Sequence, residues 1–158
     1  MEDFVIAILR SGTPLIYVTL AGVIAQRTGI WHLGLEGLMI VGACATILGI
    51  VLTQSIWLAL LSAVIVCVIG SILFWFVVEK LKANQIIAGL GLTGLGLGGT
   101  ALAVHSIFGT QAAISAPYGL PRIGVAFGAF GSLSILVLLL PFVVCAMWVA
   151  LRRTPFGF

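Results

Sequence analysis

His32 and Glu36 are four positions apart in His32-Leu-Gly-Leu-Glu-Gly37. In a helix that spacing puts both on one face. An imidazole beside a carboxylate can relay a proton, and the pair can equally line a polar path. The alternative is structural: both sit near a membrane interface and cap or hydrogen-bond a neighbouring loop. That reading is preferred, because Glu36 falls close to the start of its apolar run. Glu36 is nonetheless singular. The chain has seven Lys and Arg and four Asp and Glu in 158 residues, and every other charge borders an apolar run. His105, near the end of another run, reads as an interfacial residue.

Gly89-Leu-Gly91-Leu-Thr-Gly94 matches G-x-G-x-x-G, a fingerprint that binds dinucleotides only between a strand and a helix, with an acidic residue about 20 positions on. Here it lies inside an apolar run, and no Asp or Glu follows Glu79, so the dinucleotide reading fails. Close helix packing fits better. Gly94 and Gly98 form G-x-x-x-G, and Gly96 with Thr100 adds a second small pair. A second reading has the same segment partly unwound along a pathway. There is no H-E-x-x-H, no G-x-S-x-G, and a single aspartate, Asp3. Metal centres, nucleophile elbows and aspartyl dyads therefore lack their residues. Cys44, Cys67 and Cys145 each lie inside an apolar run and read as packing residues, not as a disulfide framework.

The elements that position these residues are membrane helices. Apolar residues make up 62% and charged residues 7%, against about 45–50% and 25% in ordinary globular domains. Charges confined to segment borders are what a bilayer requires. The start, Met1-Glu2-Asp3, is acidic where a signal peptide would be basic. The net charge of +3 comes from scattered span ends, not a basic face, which excludes nucleic acid as a partner.

A spanning helix needs about 20 apolar residues. Trp31–Leu52, Ile56–Val78, Ile86–Phe108 and Leu133–Leu151 qualify, and Phe4–Ala25 is expected as one helix bent at Pro14. The expected fold is all-α: a polytopic helical membrane protein of about five transmembrane helices. Pro141 is expected to kink the last of them. Connections after the first, third and fifth spans carry Arg27, Lys80, Lys82, Arg152 and Arg153, while the other side has Arg10 and Arg122. The excess predicts a cytoplasmic C-terminus, with Gly109–Ser132 outside.

Taken in order, the segments resemble a known family. Thr13-Pro14-Leu15-Ile16, then Ile24-Ala25-Gln26-Arg27-Thr28-Gly29 running into Leu33-Gly34-Leu35-Glu36-Gly37-Leu38-Met39-Ile40-Val41-Gly42-Ala43, is similar to the opening of ABC-transporter permeases of the nucleoside and simple-sugar group, within the branched-chain amino acid and ribose permease superfamily. Asn84-Gln85-Ile86-Ile87-Ala88-Gly89-Leu90 resembles the start of that family's next Gly-rich span, and Arg153-Thr154-Pro155-Phe156-Gly157 the beginning of its cytoplasmic coupling segment. His32 stands where the pattern usually has Asn, and Pro155 where a basic or polar residue is common.

The resemblance implies that residues 1–158 are the N-terminal part of a permease domain, ending at the start of the coupling segment. It implies a subunit of an ATP-driven importer in the cell membrane. An extracytoplasmic binding protein would deliver a nucleoside or simple sugar. A second permease subunit, alike or related, would complete the path, and a cytoplasmic ATP-binding subunit would drive it. His32, Glu36, Asn84 and Gln85 would line the pathway or its polar edge, and Arg152, Arg153, Thr154, Phe156 and Gly157 would couple to the ATPase. No catalysis and no cofactor are expected on this chain; ATP and Mg would be held by the partner ATPase, since no G-x-x-x-x-G-K-[ST] loop is present. The alternatives are a fragment of an ion-coupled secondary transporter or channel, with Glu36 as the coupling group, and a structural membrane subunit.

Overall fold

The computed structural model describes residues 2–109 and 135–153, and the described residues are helical with short connections. The helices are α1 (Glu2–Arg27), α2 (Leu35–Thr53), α3 (Ile56–Trp75), α4 (Gln85–Phe108) and α5 (Ile135–Arg153). A π-helical turn, Phe76–Lys80, extends α3. Four stretches are long and apolar enough to cross a membrane: Phe4–Arg27, Leu35–Thr53, Ile56–Lys80 and Gln85–Phe108. The apolar part of α5, Ile135–Val149, is shorter. This is a polytopic helical membrane protein.

Burial points the same way. Trp57 is 74% exposed and Leu52 78%, a distribution that water would not tolerate but lipid and partner helices do. The chain forms two compact units, one containing α1 and α5, the other α2, α3 and α4.

In the first unit, α1 runs unbroken through Pro14. Pro14 has no N–H to give the preceding turn, and beside it the Thr13 hydroxyl donates to the Leu9 carbonyl at 2.6 Å. Tyr17 joins the two helices of this unit, its hydroxyl donating to the Leu136 carbonyl at 2.9 Å. Near the end of α5, Arg152 lies over the Trp148 ring, 5.0 Å from its centroid.

In the second unit, α2 and α3 form an antiparallel hairpin built on small residues. A Cβ placed on Gly49 would come within 2.7 Å of the Ala59 Cα, and one on Gly42 within 2.9 Å of Cys67 Sγ. Ala59 is fully buried. Ser62 Oγ donates across the seam to the Ala45 carbonyl at 3.1 Å, and at the other end Leu38 fills the space left by Gly70. The turn between them closes with Gln54 in the left-handed region at φ 54°. Helix α4 runs alongside α2 in the same direction, with Gly34 against Gly89 and Leu92, and Gly37 against Thr93 and Gly96.

One expectation shifts here. The span expected from Trp31 begins at Leu35, with Trp31–Gly34 lying outside the helix. The reason is tertiary, because these four residues fold over α3 and α4 instead of winding onto α2. His32 and Glu36 therefore do not share a helix face. Within this unit a Cβ on Gly94 or Gly98 would meet nothing within 4 Å among the described residues. The close approach is made by Gly89 and Gly96, two turns apart and so on one face.

Candidate functional site

The Trp31–Gly34 segment, which carries His32, leads into the start of α2, which carries Glu36, and lies against the start of α4, which follows Asn84 and begins at Gln85. Asn84 caps α4: its side chain accepts a hydrogen bond from the Ile86 N–H at 2.9 Å. This satisfies one of the donors that every helix start leaves open. Gln85 reaches the other way, its Oε1 accepting from the Trp31 N–H at 2.8 Å. Two neighbouring amides thus do separate jobs, one holding its own helix and the other holding the incoming segment.

That segment lies close to α4. The Leu33 Cβ and Gly34 N would be within about 3 Å of a Cβ on Gly89. A side chain at Gly89 would push the segment away, so glycine there is a requirement of the fit. His32 packs on the opposite neighbour. Its ring lies on Phe74 with centroids 3.9 Å apart and planes inclined by 22°. Both ring nitrogens are buried, and neither has a hydrogen-bond partner among the described residues. Burial pulls the imidazole pKa below its ordinary 6.5, with a smaller opposing pull from its own backbone.

Glu36 occupies the first turn of α2 and is exposed. It has no hydrogen-bond partner among the described residues. A carboxylate there interacts favourably with the positive end of the helix dipole. Glu79 and Lys82, following α3, pair with each other at 3.0 Å, and both are exposed. Lys80 lies 6.0 Å from the Trp75 ring centroid.

A half-open hollow of about 210 Å³ lies between α3 and α4, lined by Leu73, Phe74, Val77, Ala88, Gly91, Leu92 and Leu95. The lining contains no polar side chain, so the hollow offers nothing to a sugar hydroxyl or a nucleobase edge. Hydroxyls elsewhere in these helices are turned onto their own backbones: Thr46 bonds Gly42, Ser71 bonds Cys67 and Thr93 bonds Gly89, each through the carbonyl four residues back.

Arg152 closes α5 in the other unit, and Arg153 is that helix's last residue. Thr154, Phe156 and Gly157 lie outside the described residues. Trp31, Phe74 and Gly37 were not singled out from the sequence, and Gly96 was paired there with Thr100 rather than with Gly89. For Gly89 and Gly96 a signal existed in their seven-residue spacing. For Phe74, one aromatic among many, there was none.

The membrane helices and their glycine-built seams describe a polytopic membrane protein, and comparison with known proteins narrows the class. Residues 4–158 match the family described as the branched-chain amino acid transport system / permease component, and the chain belongs to that family. It is 33% identical over 169 residues to the guanosine ABC transporter permease protein NupQ of Bacillus subtilis, a match covering 96% of this chain and 52% of that relative. It is 30% identical over 161 residues to the putative glucose ABC transporter permease protein TsgC13 of Haloferax volcanii, covering 96% and 48%. A nucleoside ABC transporter permease protein, NupC of Lactococcus lactis subsp. cremoris, is 30% identical over 95 residues, covering 56% and 30%. The chain spans about half the length of the curated relatives it matches. No solved structure matches it.

Proposed function

We propose that this chain is a membrane-spanning part of an ATP-driven importer of a small polar solute, with a nucleoside as first choice and a simple sugar as second. The reading rests on one observation: the permease family matches nearly the whole chain, and its similar relatives are named for guanosine, nucleosides and glucose. In this reading the importer lies in the cell membrane and an extracytoplasmic binding protein hands over the solute. A second permease subunit completes the path, and ATP with Mg is held by a cytoplasmic ATPase.

The α2–α4 unit supports the division of labour. The hollow between α3 and α4 has no polar side chain in its lining, so a hydrophilic path needs surfaces from other parts of the assembly. Glu36, Asn84, Gln85 and His32 form the polar edge this chain contributes. The Arg152–Gly157 tail faces the cytoplasm and contributes to ATPase coupling.

Uptake of radiolabelled guanosine, other nucleosides and glucose tests the reading, in cells expressing the ATPase and binding protein with and without the permease gene that encodes this chain. ATP-dependent uptake of one solute class that disappears with the gene supports it. Uptake of all three that is indifferent to the gene overturns it.

A further inference from the structure

His32 has an unusual setting for an ionisable ring. Both nitrogens are buried without satisfactory partners, and the ring rests on Phe74, itself only 3% exposed. A neutral imidazole leaves one donor and one acceptor unpaired in this seat, a smaller cost than burying a charge. An imidazolium does not. It carries two strong N–H donors, and burying them without acceptors or a counter-ion is costly. The Phe74 face returns only a modest cation–π attraction, which does not replace two acceptors.

Among the described residues the surrounding elements supply no such counter-ion. From α2 the nearest acid in sequence is Glu36, which is exposed. Beyond α3 come Glu79, Lys80 and Lys82: Glu79 is paired to Lys82, and Lys80 lies over Trp75. Helix α3 itself carries only Cys67 as a titratable group, its thiol directed at the Leu38 carbonyl. Helix α4 brings no acid or base before His105.

The seat also holds something in place. His32 lies between Trp31, whose N–H is bonded to Gln85, and Leu33-Gly34, which lie against Gly89. We propose that His32 is a proton-operated latch: the neutral ring, seated on Phe74, holds Trp31–Gly34 against the start of α4, and protonation releases that segment.

The sign follows from linkage. The seated ring has a pKa below 6.5 because burial disfavours its charge, so the released form binds more protons between that lowered value and pH 6.5. Closure therefore strengthens as pH rises through this window, by up to about tenfold per pH unit for one proton. It is constant above the window.

Hydrogen exchange tests the latch directly. The chain is placed in lipid nanodiscs, and amide protection is followed from about pH 8 to about pH 5, with rates corrected for intrinsic exchange. Protection of the Trp31 and Leu33 amides is expected to hold steady above pH 6.5 and to fall below it, while α3 amides such as Ala59 keep theirs. H32F keeps a ring on Phe74 without a titrating group and should show flat protection. Wild-type protection that ignores pH, an equal decline in H32F, or a decline shared by all of α3 overturns the proposal. Should H32F not fold, the imidazole of H105Q protein labelled with ¹⁵N-histidine decides, because a His32 pKa at or above 6.5 is incompatible with the latch.

Discussion

A Cβ placed on Gly37 would stand 2.6 Å from the Cα of Thr93, and one on Gly96 would stand 2.8 Å from the Gly37 carbonyl oxygen. The obstructing atoms are backbone, which cannot swing aside as a long side chain can. Gly37→Ala and Gly96→Ala should therefore each destabilise the chain by about 1–3 kcal/mol, the usual cost of overpacking. Gly94→Ala and Gly98→Ala, where the space is open, should stabilise their helix by about 0.5–1 kcal/mol. Denaturant unfolding in mixed micelles ranks the four variants. Equal losses at all four would contradict the seam described here.

For Glu36 the expected effect is small. Its carboxylate is exposed in the first turn of α2, where the helix dipole offers about 0.3–1 kcal/mol. Glu36→Gln should lower stability by no more than that. If uptake vanishes while the variant folds normally, the charge itself serves transport, and an ion-coupled role gains weight.

Tyr17 carries a contact that can be removed one atom at a time. Tyr17→Phe deletes only the hydroxyl that donates to the Leu136 carbonyl. The loss should be about 0.5–1.5 kcal/mol, read as a lower melting temperature in detergent. An unchanged melt would mean that α1 and α5 do not depend on this bond.

Charge distribution predicts sidedness. In a background lacking Cys44, Cys67 and Cys145, a cysteine at position 82 should resist an impermeant maleimide added to intact cells and react after the cytoplasmic face is opened. The Lys82 side chain is 75% exposed, so access within the chain does not limit labelling. Labelling in intact cells would invert the orientation.

The helices were legible because hydrocarbon imposes a simple rule on charge placement, and Arg27, Glu79–Lys82 and Arg152 mark span borders in one dimension. The start of α2 was not. Trp31-His32-Leu33 is apolar enough to pass for helix, and what keeps it out is a hydrogen bond to Gln85 and a ring on Phe74, both more than forty residues away in the chain. The packing face of α4 was legible in kind but not in phase. With glycine at 89, 91, 94, 96, 98 and 99, several faces offer small pairs, and only the position of Gly37 selects the one that is used. Asn84 and Gln85 were placed correctly at the head of a span, but their separate tasks depend on which backbone N–H each side chain finds.

The π turn at Phe76–Lys80 makes α3 wider by one residue just before its charged end. Deleting a residue there would restore an even helix and leave Lys80 four positions after Trp75, the spacing at which helix side chains meet. The wide turn thus absorbs its extra residue locally, and Lys80 reaches the Trp75 ring from five positions on. A one-codon change in length is therefore tolerated at this point of the chain, with the ionic end and the apolar seams of α2 and α3 keeping their phase.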